Sequence, residues 1–218
     1  VLAKNYHAKS AGVKTGEAIW EARNKCPGLV VVPPNYLLYL RFSMSARKIY
    51  EDYTNLVESF GIDENWLDVT ESARLFGDGE RIAFQIKERI KSELGITASI
   101  GVSYNKIFAK IGSDLKKPDA VTVITPENYK EKVWTLPVGD LLYVGRVTRR
   151  KLADIGILTI GDLAGASPKF LVRKLGKWGE MLWSFANGHD QTPVARTDYE
   201  LPIKGIGNSL TTHRDLTT

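Results

Sequence analysis

Phe60-Gly61-Ile62-Asp63-Glu64-Asn65-Trp66-Leu67-Asp68-Val69-Thr70 sets two adjacent carboxylates inside a run whose apolar residues (Ile62, Trp66 or Leu67, Val69) alternate in strand fashion. Before it, Leu40, Met44, Ile49, Tyr53, Leu56 and Val57 recur at helical spacing. The local expectation is therefore a helix, a short turn through Ser59-Phe60-Gly61, and a strand that carries Asp63 and Glu64. Neighbouring side chains of a strand point to opposite faces. Both acids can reach one ion only at a strand end, a bend or a bulge. Mg²⁺ takes oxygen ligands and commonly only one or two carboxylates beside substrate phosphates, which is one reading of the pair. A hairpin edge with two solvated acids is the other.

Downstream, Ser99-Ile-Gly-Val-Ser-Tyr-Asn-Lys-Ile-Phe-Ala-Lys-Ile-Gly-Ser-Asp-Leu-Lys-Lys-Pro118 reads as a strand that turns into a helix from Asn105 to Leu115. The helix carries Lys106 and Lys110 and runs out at Lys116-Lys117-Pro118. If this strand pairs with the acidic one, a cationic helix end lies beside the carboxylates, the electrostatic kit for a triphosphate. Read alone, Lys117 is equally a lysine favoured by the helix dipole at a C-terminus. Upstream, Asn5-Tyr6-His7-Ala8-Lys9 places a hydroxyl and an ammonium three residues apart, which suits phosphate oxygens and suits a surface loop as well.

The rest of the chain frames these stretches. Thr15 is the expected N-cap of a helix from Glu17 to Lys25, stopped by Pro27-Gly28. Leu29-Val30-Val31-Val32 and Val121-Thr122-Val123-Ile124 read as strands, Leu75–Gly79 as a loop, and Ile82, Ile86, Ile90 and Leu94 as one face of a helix ending near Gly95. Helices interleaved with strands over 39–125 favour one sheet with helices on a face, an α/β or α+β plan. Residues 127–190 hold no convincing strand and read as short helices between glycines. Within them, Val144-Gly145 joins two short helices, where backbone N–H groups at a helix start can meet a DNA phosphate. Arg146, Arg149, Arg150 and Lys151 supply charge, and from Arg146 to Lys177 eight Lys or Arg face two acids, Asp154 and Asp162. A solvated helix face is the competing reading. Residues 191–203 look like an extended linker.

Composition narrows the class. At 218 residues, with 43% hydrophobic and 25% charged residues, the chain is an ordinary globular one. No apolar run approaches the ~20 residues a membrane span needs, so no membrane partner is expected. The single Cys26 suits a reducing interior, and three scattered histidines argue against zinc. The pI near 9.2 agrees with a polyanionic partner.

Taken together, the four stretches resemble the Y-family translesion DNA polymerases, the bacterial DNA polymerase IV and impB/mucB/samB group. The Ser-Ile-Asp-Glu-Ala motif is matched by Gly61-Ile62-Asp63-Glu64-Asn65. Gly-Ile-Ser-x-Asn-Lys…Lys-Pro is matched by Gly101-Val102-Ser103-Tyr104-Asn105-Lys106 through Lys117-Pro118, and the fingers motif by Asn5-Tyr6-His7-Ala8-Lys9 with Gly12-Val13 and Gly16. Residues 204–215 are similar to the opening of the little-finger domain. The resemblance implies an α+β polymerase right hand: partial fingers (1–35), a mixed-sheet palm (36–125), an all-helical helix-hairpin-helix thumb (126–190), then a linker and the start of the little finger (191–218).

It further implies an error-prone polymerase that joins dNTP to a primer 3′-hydroxyl by two-metal nucleotidyl transfer. Asp63 and Glu64 would be the catalytic metal ligands for two Mg²⁺ ions, and Tyr6, Lys9 and Lys117 would hold the triphosphate. Gly145, Arg146, Arg149 and Arg150 would grip primer–template DNA. A sliding clamp reached through a segment beyond the chain, and a cytoplasmic location, are also implied. Lys9 stands where arginine is usual, Gly61 and Asn65 flank the acids where serine and alanine are usual, and Leu142-Tyr143 replaces Pro-Gly at the thumb hairpin. The family's first catalytic aspartate, a shared metal ligand, and its sugar-selecting aromatic are expected upstream of Val1, so the chain by itself is expected to be inactive. The alternatives are a DNA-binding repair accessory with a degenerate site and a palm-type nucleotide cyclase. The basic hairpin after residue 136 speaks against the cyclase.

Overall fold

A computed structural model describes residues 1–199 and 205–207, so the expected little-finger opening lies almost wholly outside the described residues. The chain divides into two compact units, residues 1–44 and 45–218. In the first, α1 (Tyr6–Ser10) starts because the Asn5 side chain accepts from the Ala8 N–H at 2.9 Å. The second helix, α2 (Ile19–Lys25), begins two residues later than the expected start at Glu17. Thr15 is not the cap: its hydroxyl accepts from the Lys4 ammonium at 2.9 Å. Glu17 takes the Lys14 N–H and pairs with Lys25, which closes a turn there. Glu21 then accepts from the Ala18 N–H at 2.9 Å and opens the helix. A small core of Ala8, Val13 and Ala22 holds the unit. Leu29–Val32 is not a strand, because the unit offers no neighbouring ladder, and Val30 is left 83% exposed.

Helix α3 (Tyr36–Glu51) runs into the second unit, where Ile49 and Tyr53 pack on Ile82, Ile86 and Ile90 of α5 (Gly79–Leu94). The α5 helix is capped by Asp78, and Gly95 closes it in the left-handed conformation at φ 67°. A four-residue helix, α4 (Ala73–Phe76), occupies part of the expected loop. The expected helical run to Val57 ends early. The Leu56 N–H donates to the Thr54 hydroxyl, which in turn donates to the Asp68 carbonyl. That local bonding sends the chain into strand β1 (Val57–Ser59).

The strands form two separate two-stranded ladders among the described residues, not the single sheet expected. β1 pairs antiparallel with β2 (Asn65–Leu67), in the register Val57 to Leu67 and Ser59 to Asn65. β3 (Ile100–Ser103) pairs parallel with β4 (Val121–Ile124), joined by the crossover helix α6 (Lys106–Leu115). The elements of residues 127–190 are helical: α7 (Tyr129–Val133), a 3₁₀ turn at Val138–Asp140, α8 (Arg146–Ala153), α9 (Ile160–Gly165), α10 (Pro168–Leu175) and α11 (Lys177–Ala186). The strand-free reading of 127–190 holds, apart from one isolated bridge between Pro137 and Thr159. The chain is α+β.

Helix α6 organises this unit through three faces. Asn105 caps it by accepting the Phe108 N–H at 2.8 Å. Ile107, Phe108 and Ile111 enter a core shared with Ile124 and with Leu152, Ile160, Leu163, Leu171 and Leu182 of the later helices. Burying Phe108 completely is worth about 2–3 kcal/mol. A second face lies on β3 with no side chain between: a Cβ at Gly101 would sit 1.8 Å from the Ala109 carbonyl oxygen and 2.6 Å from the Ser113 nitrogen. The third face carries Lys106, Lys110 and Asp114 at helical i, i+4 spacing.

Gly101→Ala is expected to destabilise the protein by about 3 kcal/mol or more, since backbone on both sides must move to admit one methyl group. Thermal unfolding measures it. A melting temperature unchanged within a degree would mean that the strand and helix part without cost.

Candidate functional site

The acid pair sits in a hairpin turn, not within a strand. Phe60 N–H donates to the Glu64 carbonyl at 2.8 Å, closing a loop of which Gly61 takes φ 91°. Asp63 lies exposed in the bend, and Glu64 is half-buried directly before β2. The bend frees the two carboxylates from the alternation a strand would impose.

β3 pairs with β4 and not with the acid-bearing hairpin, so the condition under which strand pairing would bring the cationic helix to the acids is not met. Side chains of α6 make the connection. Lys110 Nζ lies 2.8 Å from Glu64 Oε1 and 2.7 Å from Asp114 Oδ2. Asp114 Oδ1 is 2.6 Å from Lys117 Nζ. Glu64, Lys110, Asp114 and Lys117 thus form one unbroken line of alternating charge. Burial works to neutralise Lys110, yet its hydrogen bonds to Asp114 and Glu64 outweigh that and raise its pKa. Burial likewise pushes the Asp114 carboxyl up, and the two lysines prevail and lower it. The loop carrying Lys117 is held at its other end by Asp119, which pairs with Lys87 at 3.0 Å and Lys91 at 2.6 Å. Glu64 and Lys117 are therefore tied to one helix, while Asp63 stands beside Glu64 in the exposed bend.

The hairpin is also bolted to the start of α6. Trp66 Nε1 donates to the Lys106 carbonyl at 3.1 Å, and Lys106 Nζ stands 5.2 Å from the Trp66 ring centre while pairing with Glu58 at 2.6 Å. Glu58 accepts in addition from the Ala195 N–H at 2.8 Å. Arg47 donates to the Thr197 carbonyl, so the helix-free and strand-free segment 191–199 lies pinned along β1. In the first unit, Tyr6 and Lys9 are exposed one helical turn apart on α1.

Gly145 is the N-cap of α8 with no side chain capping the helix. Arg146, Arg149 and Arg150 are exposed on its first turns, and no carboxylate pairs with them among the described residues. The stem of Arg149 runs over Gly139, where a Cβ would come within 3.0 Å of it. This leaves a basic helix start with free N–H groups.

Residues 1–114 match the model of the impB/mucB/samB family. The chain belongs to that family. Residues 139–190 match the model described as the DNA polymerase-iota thumb domain, which covers the helices from the 3₁₀ turn to α11. Among curated relatives of this impB/mucB/samB chain, DNA polymerase IV of Acetivibrio thermocellus is 67% identical over 217 residues, all of this chain and 54% of the relative. DNA polymerase IV of Clostridium acetobutylicum is 42% identical over the same share. The chain thus spans about half the length of these relatives. Among solved structures, the insertion ternary complex of Dbh DNA polymerase superposes with a TM-score of 0.79 at 31% identity, over 87% of this chain and 56% of the other. DinB from Sulfolobus solfataricus gives 0.78 at 31%, over the same shares.

Two members of the site escaped the sequence reading. Asp114 was findable, being spaced i, i+4 from Lys110 and i, i+3 from Lys117. Glu58 was not, because its partner Lys106 is 48 residues away and nothing in its own neighbourhood marks it.

Asp114 supports a pH prediction for this family member. Its carboxyl is depressed, so its contribution is present above the unfolded value near 4 and is lost as the pH falls through the lower folded value. Lys110 is raised, so its share persists until the pH climbs through its folded value. Asp114→Asn is expected to cost under about 1 kcal/mol at neutral pH, the groups being part-exposed and screened. It should also shrink the loss of thermal stability on acidification below pH about 4. Melting curves for both proteins from pH 3 to 8 measure this, and parallel acid limbs would contradict it.

Proposed function

We propose that the protein to which these residues belong is a template-directed, error-prone DNA polymerase acting in translesion synthesis. The observation that carries the reading is the charged line from Glu64 through Lys110 and Asp114 to Lys117, which connects one member of the acid pair to a lysine suited to a triphosphate. Membership of the impB/mucB/samB family and likeness to DNA polymerase IV relatives support it.

The residues fit a hard divalent cation. Asp63 and Glu64 offer carboxylate oxygens only, at an accessible bend, and Mg²⁺ characteristically takes one or two carboxylates and leaves its other positions to water and phosphate. Two bound Mg²⁺ would supply activation of the primer 3′-hydroxyl and neutralisation of the leaving pyrophosphate. Asp63 and Glu64 would hold them. Lys117, with Tyr6 and Lys9 of the fingers, would hold the triphosphate in line for attack. Arg146, Arg149, Arg150 and the N–H groups after Gly145 would hold the duplex through its phosphates, without sequence preference. The fingers (1–35), palm (36–125) and thumb (126–190) would divide these tasks, with 191–218 leading to a further domain. Recruitment by a sliding clamp and a cytoplasmic site of action accompany the reading. No helix among the described residues is long and apolar enough to cross a membrane.

Primer extension by the full-length protein on plain and damaged templates tests this. Asp63→Ala/Glu64→Ala is expected to lower the rate by roughly a thousandfold, the scale of lost transition-state electrostatics, with duplex binding retained. Lys117→Ala is expected to raise the KM for dNTP about tenfold, the signature of lost ground-state binding. No extension by the parent protein, with salt-sensitive duplex binding intact, would instead make it a DNA-binding accessory.

A further inference from the structure

The turn that leads into α8 contains a residue whose backbone and side chain are at odds. Val144 N–H donates to the Leu141 carbonyl at 3.1 Å, so Leu141-Leu142-Tyr143-Val144 is a β-turn with Tyr143 at its third position. Tyr143 takes φ 69°, the left-handed region that favours glycine or asparagine at that place. Leu141 and Val144 anchor the turn, being 2% and 8% exposed. Tyr143 between them is 50% exposed. A bulky aromatic residue at positive φ is an outlier that persists only where the surroundings hold it.

The exposed ring does not stand alone. Its centroid is 6.2 Å from that of Trp178, tilted by 50°, and 6.2 Å from that of Phe185. Trp178 lies in the first turn of α11 and is itself 57% exposed. The contact brings the start of α11, with Lys177, beside the start of α8, with Arg146, and neither helix has a side-chain cap. Val147, 70% exposed, extends the apolar surface along α8. The acids nearest in sequence are Asp140 and Glu180, both exposed. An apolar shelf inside a basic rim fits a ligand with apolar and anionic parts in alternation.

We infer that Tyr143 and Trp178 form an aromatic shelf that receives a deoxyribose of the bound duplex, adding an apolar contact to the phosphate grip of α8. This rests on the polymerase reading above. A sugar is favoured over a base: two rings inclined at 50° offer no common plane on which one flat base could stack, whereas a puckered ring fits between inclined faces. Arg146 and Lys177 then face the phosphates on either side of that sugar. The contact is independent of base identity and of charge.

The experiment is equilibrium binding of labelled primer–template duplex to the full-length protein by anisotropy, at several salt concentrations, with melting temperatures alongside. Tyr143→Gly removes both ring and strain. It is expected to melt about 2–4 °C higher, as relief of a left-handed non-glycine residue predicts, and to bind duplex about three- to tenfold more weakly. Its dependence of log affinity on log salt should match the parent, since no phosphate contact is lost. Arg146→Ala, in contrast, should flatten that dependence by roughly one unit. Tyr143→Phe should bind like the parent, and Trp178→Leu should weaken binding as Tyr143→Gly does. Duplex affinity in Tyr143→Gly or Trp178→Leu equal to the parent's overturns the inference and leaves the polymerase reading standing. If Tyr143→Gly melts lower, binding by Tyr143→Phe and Trp178→Leu decides, with equal losses in both overturning the shelf. Absence of salt-sensitive duplex binding in the parent would remove the polymerase reading itself.

Discussion

The contact on which the site depends is the bare approach of β3 to α6 at Gly101. Strand and helix meet there backbone to backbone, with the Ala109 carbonyl and Ser113 nitrogen occupying the space a side chain would need. Such a contact fixes more than distance. It fixes the rotation of α6 about its own axis, because only the Ala109–Gly112–Ser113 side is flat enough to be approached so closely. Once that side is committed, helical geometry sends Ile107, Phe108 and Ile111 into the apolar core and leaves Lys106, Lys110 and Asp114 on the remaining side. Charged residues meet the acid hairpin as a consequence of where glycine sits in a strand.

What the hairpin gains from α6 is order. Glu64 would otherwise be a half-exposed carboxylate on a turn. Lys110 holds one of its oxygens, and Lys106 is used twice: its carbonyl takes the Trp66 indole N–H, and its ammonium is shared between Glu58 and the Trp66 ring. Lys106 is almost wholly buried, at 8% exposed. Removing Glu58 would leave that ammonium uncompensated, which is costly in a way that a surface pair is not. The two pairs thus differ in kind. Lys106–Glu58 fixes the architecture, while Lys110–Glu64 is partly open to solvent and contributes less to it.

The elements that could be read in the sequence were those specified by local chemistry. Asn105 before an apolar stripe gave α6, Ile82, Ile86, Ile90 and Leu94 ending at Gly95 gave α5, and Val121–Ile124 gave β4. Failures came where a distant partner decides. Leu29–Val32 has every local mark of a strand, but the described residues of its unit offer no edge to pair with. Val57 fitted the helical run, yet Thr54 bonds across 14 residues to the Asp68 carbonyl and turns the chain into a hairpin. The two acids were legible as neighbours, while their placement in a bend depended on the register of β1 with β2. Glu58 could not be found, since its role comes entirely from Lys106 and Ala195.

The same helix joins the site to the basic helices beyond it. Phe108 and Ile111 share one apolar cluster with Ile124 of β4 and with Leu152, Leu163 and Leu182 of α8, α9 and α11. Cores packed at crystal density transmit displacement and do not absorb it. A force on the arginines of α8 therefore acts on Leu152, and through the cluster on the face of α6 opposite its lysines. Trp134 extends the link: its indole N–H donates to the Ala186 carbonyl at 3.0 Å, and a Cβ at Gly161 would lie 2.9 Å from the Trp134 carbonyl oxygen. Among the described residues, this continuous packing joins the arginine-bearing helix α8 to the helix whose side chains order Glu64, so the two are built to move as one piece.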